Sequence, residues 1–293
     1  MRLQYSGNVF DAVLSVPLFR RCVCADLAGG QLSDFKLRSV TDFGKKRQPG
    51  ICMLPQNAKH WDIRGKMDIT LFYREKGNGE PFVLLHGNGE DSSYFKHQIE
   101  YFCDRYRVIA PDTRGHGKSP RGTSPFTIRQ FSCDLYDFMK NHQIPKAVIL
   151  GFSDGANIAM RFAMKHPDMV TALILNGGNL DAKGVKRSTQ LPIEIGYKIA
   201  KHFAKRSAEA NKNAELLGLM VNDPNIEPEE LAQITAPTLV ICGTKDMIRE
   251  DHTRKIAENI PNARLAILEG DHFVANKRSE EFNREVDRFL ESL

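Results

Sequence analysis

What most constrains this chain is a repeated alternation, starting near Met67, of short apolar runs with loops and longer amphipathic segments. The runs fall at residues 69–73, 82–85, 108–110, 147–150, 172–175, 238–242 and 265–268, and each has the length and apolar character of a buried or half-buried strand. Between two of them, Thr127-Ile128-Arg129-Gln130 has the spacing of a helix capping box, and Ile128, Phe131, Leu135 and Phe138 recur on one helical face. A last helix is predicted to open at Ser279, with Phe282, Val286, Phe289 and Leu290 turned inward. Strands alternating with helices predict an α/β fold, a mostly parallel sheet covered by helices on both faces.

The alternation fails in two places. Residues 1–65 have mixed polarity and little periodicity, and are read as an N-terminal extension of uncertain order ahead of a domain at 66–293. Residues 176–235 carry helical signals without a convincing strand, which marks them as a cap inserted into that domain. There Pro192 is placed to open a helix on which Ile195, Ile199 and Phe203 form an apolar stripe, with Lys198, Lys201 and Lys205 on the polar side. From 182 to 213 eight Lys and Arg face two Glu, a net of +6 in a chain whose formal net charge is +5. A solvated helix face, a funnel for anionic substrates and a surface for an acidic partner all fit that charge.

Composition removes several classes of function. At 293 residues, 41% hydrophobic and 26% charged, the chain is long enough for a large core and polar enough for a globular protein. No run reaches the ~20 apolar residues of a membrane span, so no membrane partner is expected. Asp11 interrupts the apolar stretch at 9–19, and Arg20 and Arg21 follow it rather than precede it; the pattern is not secretory, and the expected location is cytoplasmic. No basic run interleaves with aromatics as a nucleic-acid groove requires. The six cysteines lack metal-ligand spacing, and Cys103, Cys133 and Cys242 are expected to be small core residues of a reducing compartment.

Chemistry concentrates where the fourth full-length run ends. Val148-Ile149-Leu150 leads into Gly151-Phe152-Ser153-Asp154-Gly155, and a helix-like segment follows at once. Glycines two residues either side of Ser153 permit a sharp strand-to-helix turn that holds the hydroxyl out, with the amides of a helix N-terminus beside it. A serine needs a general base, and the base needs an orienting acid. Asp246 follows the run at 238–242 and His272 follows the run at 265–268, so both sit in loops past the C-terminal ends of strands, where sites of open parallel sheets form. Glu269 and Asp271 are rival acids; Asp271, adjacent to His272, is poorly placed to bond its neighbour's ring while that ring faces Ser153. His86-Gly87-Asn88-Gly89-Glu90-Asp91 brings a glycine-containing turn to another strand end, where the amide of Asn88 joins that of Asp154 as a candidate oxyanion donor. His86 reads as a residue that fixes the loop. The run at 111–119 is basic and glycine-containing but has neither P-loop nor dinucleotide-binding spacing.

Together, His86-Gly87, Asp112-x-Arg114-Gly115-x-Gly117-x-Ser119, Gly151-x-Ser153-x-Gly155, Gly243-x-x-Asp246 and Gly270-Asp271-His272 resemble the α/β-hydrolase fold superfamily from about Met67 to Leu293. The resemblance implies an eight-stranded, mostly parallel sheet with a helical cap and no metal or organic cofactor. It implies Ser153 as nucleophile, His272 as base, Asp246 as orienting acid, and the amides of Asn88 and Asp154 as oxyanion donors. The expected activity is hydrolysis of a small ester, thioester, lactone or activated amide through an acyl-enzyme. Gly-x-Ser-Asp-Gly is similar to the biphenyl-hydrolase-like group that includes valacyclovir hydrolase, which implies that the Asp154 carboxylate receives a cationic substrate group. Haloperoxidase or carbon–carbon bond hydrolysis with the same three residues, and a non-catalytic ligand-binding or interaction member of the fold, are the competing readings. Oligomeric state is not legible.

Overall fold

The computed structural model describes residues 68–293; the expected extension at 1–65 lies outside the described residues. In chain order the elements are β1 (Tyr73–Lys76), β2 (Glu80–Leu85), α1 (Lys96–Phe102), β3 (Tyr106–Pro111), α2 (Ile128–Asn141), β4 (Ala147–Phe152), α3 (Asp154–Lys165), β5 (Val170–Asn176), α4 (Arg187–Phe203), α5 (Ala208–Asn222), β6 (Thr238–Gly243), α6 (Glu250–Asn259), β7 (Ala263–Leu268), α7 (Val274–Lys277) and α8 (Ser279–Glu291). The strands form one sheet in the order β1-β3-β2-β4-β5-β6-β7. β1 runs antiparallel to β3, and every other neighbouring pair is parallel.

Period-two alternation divides the core. Val83, Leu85, Ile109, Ile149, Leu173, Leu175 and Val240 point to one face of the sheet, where they meet Phe131, Leu135 and Phe138 of α2, Ile158 and Phe162 of α3, and Ile256 of α6. Phe82, Leu84, Val108, Val148, Leu150, Ile174 and Ile241 point to the other, against Phe102 of α1 and Phe282, Val286 and Phe289 of α8. The central strands are thus apolar without interruption because both of their faces are buried. β4, the most central, has all six residues buried.

The sheet has seven strands among the described residues, matching the seven apolar runs, where the resemblance implies eight. Other sequence expectations are corrected. The first strand starts at Tyr73 rather than at residue 69, because the ladder with β3 begins at the Tyr73–Pro111 pair and the Phe72 N–H is taken by Ser119 Oγ at 2.9 Å. α4 begins at Arg187, which leaves Pro192 inside the helix rather than at its start. Its Ile193, Gly196 and Ala200 face inward, so the stripe of Ile195, Ile199 and Phe203 is turned toward solvent. Of the three described cysteines only Cys242 is buried. At the start of α2 the Thr127 side chain accepts the Gln130 N–H at 3.1 Å, while the Gln130 side chain reaches forward to Asp134 at 2.9 Å; this is half of a capping box. The segment 176–235 contains α4 and α5 and no strand of the sheet beyond the last residue of β5. No helix among the described residues is long and apolar enough to cross a membrane.

The loop after β3 is held by charge. Arg114, with no exposed side-chain surface, gives Asp134 Oδ2 and Oδ1 a two-pronged bond at 2.7 and 2.6 Å and also pairs with Asp68. Asp112 accepts the amides of Ser92 at 2.7 Å and Lys118 at 2.8 Å. The basic, glycine-containing run at 111–119 therefore ties this loop to α2 and to the turn after β2. Arg114→Ala leaves the Asp134 charge in the interior without its cation, and the unfolding free energy in urea titration is expected to drop by about 3 kcal/mol with the m-value unchanged.

Candidate active site

The turn after β4 depends on close backbone approach. A Cβ on Gly155 would lie 1.9 Å from the Leu85 carbonyl oxygen of β2, and one on Gly151 would lie 2.3 Å from the carbonyl oxygen of Gly155. With both side chains absent, α3 starts immediately after the strand, and Ser153 is held between them at φ 54°, ψ −118°. That left-handed φ is unfavourable for a serine, by about 1–3 kcal/mol. It is sustained by the Ser153 N–H to the Asn176 carbonyl of β5 at 2.8 Å and by the Ser153 carbonyl, which accepts the Ala156 N–H at 2.9 Å.

His272 and Asp246 come together from the ends of neighbouring strands. β6 and β7 are in parallel register through Gly243 and Leu268, so the loops that follow them leave the same edge of the sheet as Ser153. His272 Nδ1 donates to Asp246 Oδ1 at 2.7 Å, and both side chains are buried. The same carboxylate oxygen accepts the Ile248 N–H at 2.9 Å. With its proton on Nδ1, the ring presents Nε2 as an acceptor; Nε2 is buried and has no hydrogen-bond partner among the described residues. Phe152, the residue before Ser153, packs its ring 4.9 Å from that of His272, and Tyr94 stacks on Phe152 at 4.5 Å. Of the rival acids, Asp271 turns away to bond the Phe273 N–H at 2.9 Å and Lys277 Nζ at 2.5 Å.

The glycine-containing turn after β2 closes another side. His86 accepts the Thr113 N–H at Nε2, 3.0 Å away, and its Nδ1 lies 2.8 Å from the Gly87 carbonyl, which fixes the loop. The Gly87 N–H goes to Glu90 Oε2 at 3.3 Å, and the Asn88 side chain reaches the Leu216 carbonyl of α5 at 2.8 Å. α5 is therefore tied directly to this turn. Asp154, at the start of α3, has one carboxylate oxygen 3.3 Å from Asn157 Nδ2 and the other buried without a partner among the described residues. Asn157 is in turn bonded to Asn179, at 3.0 Å through its Nδ2 and at 2.9 Å from the Asn179 N–H.

The acids of this region differ in charge state. Burial raises Asp246, but the His272 charge and the bonds from His272, Ile248 and Gly243 outweigh it and hold the carboxyl below its ordinary range. Burial lowers His272, and the Asp246 charge and hydrogen bond more than offset it, leaving the imidazole above its ordinary 6.5. Asp154 is pushed up to about 7 by burial and then by the neighbouring charge of Asp223. Burial pushes Glu90 up to about 8.

Three contributors escape a reading of the sequence alone. Gly177, at φ 63°, lies against the imidazole so closely that a Cβ there would be 2.7 Å from His272 Cε1. Its trace in the sequence is the Gly177-Gly178 pair after β5. Glu90 belongs to the recognised turn, yet only the fold shows that its carboxyl folds back on Gly87. Asn179 supports Asn157 across 22 positions, a separation that no local pattern reports. Among the described residues no group of three or more His, Cys, Asp or Glu is arranged to hold a metal ion.

Residues 80–194 match the family model of the alpha/beta hydrolase fold. The 3-oxoadipate enol-lactonase 2 of Acinetobacter baylyi is 27% identical over 261 residues, covering 78% of this chain and 96% of that one. The uncharacterized protein Rv2715 of Mycobacterium tuberculosis is 32% identical over 269 residues, covering 75% of this chain and 78% of its own length. The crystal structure of the enol-lactonase from Burkholderia xenovorans LB400 superposes with a TM-score of 0.65 at 24% identity, covering 76% of this chain and 96% of that one; this likeness speaks for the fold. The chain belongs to the alpha/beta hydrolase fold family and is an enzyme of it.

Proposed function

We propose that the protein is a serine hydrolase that cleaves a small ester, thioester, lactone or activated amide through an acyl-enzyme. In this reading Ser153 is the nucleophile, His272 the general base and Asp246 the acid that orients it. The observation that carries it is the buried 2.7 Å bond from His272 Nδ1 to Asp246, which leaves Nε2 an unpartnered acceptor at the sheet edge where Ser153 sits in a strained turn. Nε2 takes the serine proton as Oγ attacks the substrate carbonyl. The imidazolium then protonates the leaving group, and after its departure Nε2 activates water for deacylation. The developing oxyanion is assigned to the amides of Asp154, in the first turn of α3, and Asn88; the Gly87 N–H is committed to Glu90. The names of the enol-lactonase relatives favour inclusion of lactones among the substrates.

Asp154 is assigned a second role through its carboxylate, as an anchor for a cationic group on the acyl side of the substrate. The buried oxygen without a partner supports it, because an ammonium would supply the missing bond and hold the carboxyl ionised. With its ionisation pushed up to about 7 by burial, the free anchor is anionic above neutrality and loses its charge below it.

A fluorophosphonate probe is expected to label the wild-type protein at Ser153, and Ser153→Ala to lose both labelling and about 10⁴-fold or more of its ester turnover. Absence of labelling on folded wild-type protein would overturn the assignment of Ser153 as the nucleophile.

The pH profile follows from the direction of the His272 shift. Catalysis needs neutral Nε2, and a raised ionisation keeps the ring protonated to higher pH. The acid limb of kcat/KM is therefore expected above pH 6.5 and should move to lower pH in Asp246→Asn, with a large loss of rate. An acid limb at or below the ordinary histidine value would contradict an Asp246-paired base.

For the anchor, Asp154→Asn keeps the backbone amide and removes the charge. Aminoacyl esters are expected to lose about 10- to 100-fold in kcat/KM while uncharged esters of equal size change little, the range set by a charge-assisted bond. Equal losses on both substrate types remove the anchor and leave the hydrolase reading intact.

A further inference from the structure

Exposed apolar surface is unevenly distributed over this protein. Among the described residues the exposed large apolar side chains are Tyr101, Leu191, Ile195, Phe203 and Leu293, and three of these five lie on α4. Leu191 is 44% exposed, Ile195 46% and Phe203 40%, with half-buried Ile199 between the last two. Spaced by four, these residues form a ridge along the helix about 18 Å long. The opposite side of α4, Ile193, Gly196 and Ala200, is already buried, so the ridge is a second apolar face and not the core-facing one.

Beside the ridge the surface is basic. Lys198, Lys201, Lys205 and Arg206 are all exposed, and among the described residues none of the four has a carboxylate partner. Residues 182–213 hold eight Lys and Arg against two Glu, whereas the other described residues hold 22 basic against 29 acidic. Among the described residues the excess of positive charge is thus confined to the segment that carries the ridge, on a body of the opposite sign.

Charge decides among the possible occupants. Residues 1–67 contain eleven Lys and Arg against five Asp, so their own sign opposes coverage of the ridge by that segment. A second copy meeting the ridge by a two-fold contact would bring the same basic strip against itself. A ridge of four side chains on one helix is also far from the ~800 Å² that a stable protein interface takes from each partner. An anionic bilayer asks for neither a groove nor a large matched area. It accepts apolar side chains at the headgroup–acyl boundary while long basic side chains extend to lipid phosphates.

We propose that α4 is the element by which this protein lies on an anionic lipid surface, with Leu191, Ile195, Ile199 and Phe203 entering the interface and the adjacent lysines and Arg206 meeting the headgroups. The absence of a spanning segment, which led the sequence reading to expect no membrane partner, does not bear on a helix lying in the surface plane. This inference is independent of the reaction assigned to Ser153.

Flotation of the full-length protein with phosphatidylcholine vesicles, with and without phosphatidylserine, tests it. Wild type is expected to float with the anionic vesicles and to bind neutral ones, or anionic ones at raised salt, at least about tenfold more weakly. Two variants separate the contributions: Leu191→Ser/Ile195→Ser/Phe203→Ser removes the ridge, and Lys198→Glu/Lys201→Glu reverses the strip. Each is expected to lose about tenfold or more of the binding while retaining the wild-type melting curve and turnover of a soluble ester. Two outcomes overturn the proposal. One is wild-type flotation by both variants, which would move the contact elsewhere, including to the basic residues 1–67. The other is failure of wild type to bind anionic vesicles, and its retention on an immobilised acidic peptide would then assign the strip to a protein partner.

Discussion

The contact on which the rest of this structure depends is the one between the Gly155 backbone and the Leu85 carbonyl oxygen. It allows no side chain, since even a Cβ would come within 1.9 Å. Because the first turn of α3 can sit that close to β2, α3 begins directly at the end of β4, and Ser153 is the residue forced to absorb the reversal at φ 54°. The strain of about 1–3 kcal/mol is offset by the packing of α3, whose Ile158 and Phe162 are buried against the sheet. Strand, glycine and helix thus act together: loosening any of the three relaxes the turn and withdraws the hydroxyl.

The same edge of the sheet receives the other groups because the strands are parallel. In a parallel sheet every strand ends on one side, so the loops after β2, β4, β5, β6 and β7 are neighbours whatever their distance in sequence. Gly177 shows how tightly they fit. It follows the strand whose Asn176 carbonyl receives the Ser153 amide, and it packs against the imidazole that Asp246 holds from the next loop. A side chain at that position would press on both partners of the His272–Asp246 bond, since even a Cβ would lie 2.9 Å from His272 Nδ1 and 3.4 Å from Asp246 Oδ2.

How much of this is legible in the sequence depends on the range of the interaction. The central strands are legible because burial on both faces makes them uniformly apolar, and α2 because Thr127 caps it locally. Ser153, Asp246 and His272 could be picked out because each follows an apolar run, so position relative to a strand substitutes for knowledge of the fold. α4 departs from its sequence pattern at its start. Proline is favoured in a first turn, yet tertiary packing of Ile193 and Ala200 extends the helix back to Arg187, and an apolar stripe in a sequence does not state which of two faces the core takes. The Asn157–Asn179 support and the folding back of Glu90 on Gly87 were not legible at all, since each is a bond between side chain and partner that only the assembled loops bring together.

The acids around His272 carry the final point. Asp246, Asp154 and Glu90 are carboxylic acids in one small, poorly solvated region, and in water all would ionise at similar pH. Here the charge and hydrogen bond of His272, together with two backbone amides, keep Asp246 anionic, whereas burial drives Asp154 to about 7 and Glu90 to about 8. Near neutral pH the carboxylate most firmly ionised is therefore the one bonded to Nδ1, and the other two carry at most part of their charge. Under the proposed mechanism, in which His272 acts through Nε2, that ordering matters. A fully ionised Asp154 or Glu90 would further stabilise the imidazolium, making it a weaker acid toward the leaving group and keeping the ring protonated when it must accept a proton from Ser153. In that mechanism, burial of Asp154 and Glu90 limits the charge acting on His272, and near neutral pH Asp154 becomes fully ionised only when a cationic substrate group is there to balance it.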